Sequence, residues 1–169
     1  MATTIDQLRP RMPFAADGYE RILAYAAALL LAVVLVAIAR GQADWGRVPM
    51  LVWAHLATII VALALTPVML LGRRGDRRHR RLGTIWVVAM VLTAALSFGI
   101  RQTNHGGFSL IHLLSAFTLV QVPLLWHAAR THRVDRHRRG VRAMVTGALL
   151  IAGVFTFPFG RMLGHWLFG

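Results

Sequence analysis

Long apolar runs alternate with short, strongly basic segments along this chain. A helix crosses the ~30 Å hydrocarbon core of a bilayer with about 20 mostly apolar residues. Five runs have that character: Ile22 to Ala39, about Met50 to Leu71, Leu82 to Ile100, about Phe108 to Ala129, and about Ala143 to Phe159. The pattern predicts an all-α integral membrane bundle of five transmembrane helices. A cytoplasmic N-terminal segment would cover 1–21, the five-helix domain 22–159, and a short interfacial tail 160–169, with Trp166 and Phe168 at the interface. The first residues mix Asp6, Arg9, Arg11, Asp17 and Glu20 with Pro10 and Pro13, which does not read as a cleavable signal peptide.

Composition supports the membrane reading. Hydrophobic residues make up 57% of the 169 and charged residues 15%. An average soluble domain has about half and about a quarter, so too little polar surface remains to keep five apolar helices in water. A net charge of +13 would suit a nucleic-acid binder, but the charges sit between apolar runs, not along the face of a soluble fold. No nucleic-acid partner is expected. There is no Cys, which excludes disulfides, thiolate metal sites and thioether-attached haem.

Arginine placement predicts orientation, because cytoplasmic loops carry the excess of positive charge. The 72–81 loop holds Arg73, Arg74, Arg77, Arg78, Arg80 and Arg81. The 130–142 loop holds Arg130, Arg133, Arg136, Arg138, Arg139 and Arg142. The opposite side has Arg40, Arg47, Arg101 and Arg161. The expected location is a bacterial inner (plasma) membrane, multi-pass, with the N-terminus cytoplasmic and the C-terminus periplasmic. The basic loops serve topology and attract anionic lipid. An anionic electron donor or quinol headgroup near Arg77, Arg80, Arg138 and Arg142 is the functional alternative. Trp45, Trp53, Trp86, Trp126 and Trp166 suit an aromatic belt at the membrane interfaces.

Two stretches of the chain read alike. One starts at His55-Leu56, passes Pro67 and ends at His79-Arg80-Arg81. The other starts at His112-Leu113, passes Pro123 and ends at His137-Arg138-Arg139. Their His-to-His spacings agree to within one residue. Helices two–three and four–five therefore read as a repeat about a pseudo-two-fold axis along the membrane normal. Such an axis would bring His55 to face His112 near the outer surface and His79 to face His137 near the inner one. Two facing imidazoles are what bis-His haem ligation requires. About 16 helical residues, or ~24 Å, separate the two layers, enough for two stacked porphyrins. The small residues Ala54, Ala57, Thr58, Gly83, Thr84, Ser115 and Ala116 would make room for them. His127 and His132 compete with His137 for the inner site, whereas His105 and His165 read as surface residues. Asp76 and Asp135 either orient the inner imidazoles or relieve Arg crowding.

With these residues the chain resembles the cytochrome b-561 superfamily of di-haem membrane proteins. It is more closely similar to an uncharacterised bacterial membrane family, a domain of unknown function, with His-Arg-Arg helix starts such as His79-Arg80-Arg81-Leu82-Gly83. The stretch Asn104 to His112 resembles the former's Ser-Leu-His segment, although Ile111 intervenes. The resemblance implies haem b held by His55 with His112 and by His79 with His137. It further implies iron-based transmembrane electron transfer, as an oxidoreductase or electron carrier, between a donor and an acceptor such as a quinol or small reductant. The alternative is a cofactor-free small helical subunit or scaffold of a larger membrane complex, whose histidines serve packing and hydrogen bonding. A homodimer is also compatible. A transporter fits less well, because no Asp or Glu is expected inside any membrane helix.

Overall fold

A computed structural model describes residues 15–100, 110–158 and 160–169. Among the described residues all regular structure is helical. Among them four helices are long and apolar enough to cross a membrane: α1 (Gly18–Arg40), α2 (Met50–Leu71), α3 (Arg77–Ser97) and α4 (Leu110–Arg130). They are followed by α5 (Val134–Met144), a π-helical stretch Val145–Ile151, α6 (Ala152–Val154) and α7 (Met162–Phe168). Successive helices from α1 to α5 pack on one another, and the π-helical stretch packs against α1, α2 and α4.

The first helix shows how an apolar segment divides its faces in a bilayer. Leu23, Ala27, Leu30, Val34 and Ala37 recur every three or four residues and are buried against the bundle. Ile22, Tyr25, Leu29 and Val36 stay exposed, although apolar, because their surroundings are lipid tails. The buried stripe includes Ala24, Ala27 and Ala37, all with no exposed surface, and small residues let neighbouring backbones approach closely.

The expectation of a fifth spanning helix is corrected: among the described residues four helices are long and apolar enough to span. Val134–Met144 is an amphipathic, Arg-rich helix, not an apolar one. The α register is then lost at Val145, where the chain widens into a π turn that includes Gly147. The apolar part that stays helical, from Ala143 to Val154, is about 18 Å long even at α-helical rise. That is too short to cross the hydrocarbon core. The pseudo-two-fold repeat fails with it. The first pair ends in the unbroken α3 and the second in a broken chain, so the two pairs cannot be superposed copies.

One cluster of charges closes the Arg-rich end of the bundle, called the inner end for reference and its opposite the outer end. Asp17 caps α1 and forms a capping box with Glu20: the Asp17 carboxylate accepts from the Glu20 N–H at 3.0 Å, and Glu20 accepts from the Asp17 N–H at 3.1 Å. Glu20 is 1% exposed. Its carboxylate accepts from Arg74 Nη2 at 2.5 Å, from Arg138 Nε at 2.6 Å and Nη2 at 2.8 Å, and from Arg142 Nε at 3.2 Å. Arg138 and Arg142 also reach Asp17. The Glu20 N–H holds the Asp17 carboxyl below the usual carboxylate range, and Arg142 acts in the same direction. The N-terminus of α1, the α2–α3 loop and α5 are thus joined through two carboxylates.

The outer end is held by aromatic packing. Trp45 meets Trp53 edge-on at 5.6 Å, and Trp53 lies 6.4 Å from Trp166. Gly41, just past α1, is a required glycine: a Cβ there would lie 2.1 Å from the Trp166 ring. Residues 160–169 therefore do more than rest at the interface, since α7 docks on α1 with Leu163 and Trp166 buried. Trp86 is not a belt residue either; it is 3% exposed and donates its indole N–H to Thr66 Oγ1 at 3.0 Å.

Candidate functional site

A chamber of about 570 Å³ lies among α1, α2, the π-helical stretch and α7 towards the outer end. Most of its wall is apolar: Leu30 and Val34 of α1, Leu56, Ile59 and Leu63 of α2, and Leu149 of the π turn. His55 and His112 both face it, as do Asp44, Arg47, Arg161 and His165 nearer the outer end. The π turn borders the chamber because a widened helix packs less closely, and π turns are frequent at functional sites. A smaller space of about 100 Å³ continues from it past Thr93, Ser97 and Ser115.

Polar groups beside the chamber are engaged between helices. The carbonyl of Thr93 can only accept, so His55 Nδ1 donates to it at 3.0 Å. Thr93 Oγ1 in turn donates to Thr58 Oγ1 at 2.8 Å, and Thr58 donates to the His55 carbonyl at 2.9 Å. Ser97 and Ser115 join α3 to α4 at 2.5 Å. His112 is 5% exposed and lies 5.9 Å from the Phe98 ring.

At the inner end His79 and His137 are within electrostatic reach of each other. His137 Nδ1 donates to the Leu125 carbonyl at 3.0 Å, tying α5 to α4. His79 Nδ1 is buried without a hydrogen-bond partner. The backbone N–H of His79, not its ring, binds the Asp76 carboxylate at 2.7 Å, so Asp76 is the cap of α3. Asp135 lies in the first turn of α5 within electrostatic reach of Arg138. His132 takes a left-handed conformation, φ 57°, and closes α4 with the Arg133 N–H bonded to Ala128 O at 2.9 Å. It is a turn residue. His127 and His165 are exposed.

The expectation of haem b and bis-His iron centres is corrected. Among the described residues no group of three or more His, Cys, Asp or Glu side chains comes together to hold a metal ion. The small residues that were to line porphyrin sites are placed otherwise. Ala57, Thr84 and Ala116 are exposed, and a Cβ on Gly83 would already touch Met69 at 3.5 Å. Thr58 and Ser115 hold helices together. The repeat-equivalent inner histidines do different things: His137 Nδ1 donates to the Leu125 carbonyl, whereas His79 Nδ1 is buried without a hydrogen-bond partner. His105, Arg101 and the Asn104–Ser109 part of the Ser-Leu-His-like stretch lie outside the described residues, as do the acidic and basic residues of 1–14.

No family model, curated protein or solved structure matches the chain. The resemblance to the cytochrome b-561 superfamily and to the bacterial family of unknown function therefore has no support, and the electron-carrier and oxidoreductase reading falls with it.

Sequence reasoning missed Glu20, which lies within α1 and not before it, so the statement that no acid lies within a spanning helix is also corrected. The signal was present: Asp17 and Glu20 have capping-box spacing just before an apolar run, and Glu20 is the chain's single Glu.

Replacing His55 with Ala removes one interhelical hydrogen bond and lowers stability by about 1 kcal/mol. His55→Asn, which keeps a donor, recovers part of that loss. Unfolding by sodium dodecyl sulfate in mixed micelles, followed by circular dichroism, measures both; equal losses in the two variants would contradict the hydrogen-bonding role.

Proposed function

We propose that this chain is a cofactor-free small helical subunit that packs within a larger membrane complex. The observation that carries this reading is the use of its imidazoles. His55 and His137 donate to backbone carbonyls on neighbouring helices, as packing residues do. The apolar side chains exposed along α1, α2, α3 and α4, such as Leu29, Val61, Val88 and Val120, suit contact with lipid and with partner helices. The test is mild-detergent purification of the native protein from its membrane. Stable co-elution with other membrane proteins, with no visible absorption band from this chain, is expected. Elution alone, or a b-type α band in the reduced-minus-oxidised spectrum, would overturn the reading.

The chain sits in a bacterial plasma membrane with its Arg-rich end in the cytoplasm. Nine exposed arginines support this: Arg73, Arg77, Arg78, Arg80, Arg81, Arg130, Arg133, Arg136 and Arg139. Each contributes about 1 kcal/mol of attraction to an anionic leaflet. Because the chain has no Cys, single introduced cysteines report topology cleanly. Arg73→Cys is expected to resist a membrane-impermeant maleimide in right-side-out vesicles, and Gly46→Cys to react. The opposite pattern would reverse the orientation.

A further inference from the structure

The outer chamber has an apolar body and a basic mouth. Its body is lined by Leu30, Val34, Ile59, Leu63 and Leu149. Nearer the outer end, Arg47, Arg161 and His165 stand against a single acid, Asp44, and Arg47 engages that acid at 3.0 Å. Arg161 is left over. It is half-buried, its Nε is fully buried without a hydrogen-bond partner, and among the described residues no carboxylate lies within ion-pair distance of it. A buried guanidinium N–H without an acceptor is costly to keep. The inner end of the same molecule shows the satisfied alternative, with three arginines gathered on Glu20.

We propose that the chamber binds a single-chain lipophilic carboxylate, with its headgroup on Arg161 and its tail among the apolar wall residues. The volume, about 570 Å³, is that of a pocket for one small molecule. A two-chain phospholipid exceeds it. The carboxylate supplies the acceptor that Arg161 lacks, and guanidinium matches carboxylate in a planar, two-pronged geometry. Arg47, whose side chain is 85% exposed, adds charge at the mouth. The occupant enters from the outer leaflet, where its head stays level with the membrane interface. This site goes beyond the subunit role and does not depend on it.

The full chain in nanodiscs of zwitterionic lipid tests the proposal, with the fluorescent long-chain carboxylate cis-parinaric acid as probe and protein-free discs as the blank. Saturable binding is expected, displaced by oleate. Methyl oleate, with the same chain and no charge, displaces at least about tenfold less well, as expected from the loss of a charge-assisted hydrogen bond. Arg161→Gln weakens probe binding by a similar factor, and Val52→Trp, which puts an indole into the chamber from its α2 wall, abolishes it. Circular dichroism confirms that each variant is folded; should Arg161→Gln not fold, Arg47→Gln on the exposed mouth takes its place, with a smaller loss expected. Equal displacement by oleate and its ester, equal competition by phosphatidylglycerol, or unchanged binding in folded Val52→Trp would each overturn the assignment.

Discussion

The Glu20 carboxylate is the group on which the arrangement of this bundle depends. A carboxylate this buried must have its oxygens fully engaged, since removing it from water costs several kcal/mol. Arg74, Arg138 and Arg142 engage it, and they come from two separate segments of the chain. The cluster therefore fixes three things at once: where α1 enters, how the α2–α3 loop folds over it, and where α5 docks. Arginine suits this position because its stem lies along apolar surface while its planar head presents several donors.

The two ends of the molecule follow different rules as a result. The inner end is closed by charges and by the hydrogen bond of His137 to the Leu125 carbonyl. The outer end is closed by tryptophan packing and by hydroxyl and imidazole hydrogen bonds. With α5 held at its inner end, the chain beyond it leaves α-helical geometry at Val145, and the chamber opens beside that turn. Irregular backbone at membrane depth is tolerated where it is buried in protein or lines a cavity. Here it does both. Leu149 is 1% exposed to solvent and contributes to the chamber wall.

The hydropathy of the chain made α1 to α4 legible, because run length and side-chain transfer energy are all that a spanning helix needs. The same signal overstated the fifth. It counts apolar side chains from Ala143 to Phe159 and is blind to whether the backbone keeps its register through Gly147 and Gly153. The histidines were harder to read. His79 does lie near His137, and His55 and His112 share a chamber, but the hydrogen-bond partner of an imidazole is set by which neighbouring helix offers a carbonyl. For His55 that is Thr93, and for His137 it is Leu125. Arginine was read as a topology signal and as a surface for anionic lipid or an anionic donor, which hid the three that converge on Glu20 and Arg161, whose buried Nε has no hydrogen-bond partner among the described residues.

The central claim is that Glu20 and its arginines act as one unit that holds α1 to α5, and a double-mutant cycle tests it most directly. Glu20→Gln, Arg138→Gln and the double variant are compared by unfolding in mixed micelles. Glu20→Gln alone should cost about 3 kcal/mol, since it leaves guanidiniums without their carboxylate. The double variant should be little worse than Glu20→Gln, giving a coupling energy of about 1 kcal/mol or more. Two small and additive losses, each within about 0.5 kcal/mol, would show that the cluster is a solvated surface feature and would contradict the account.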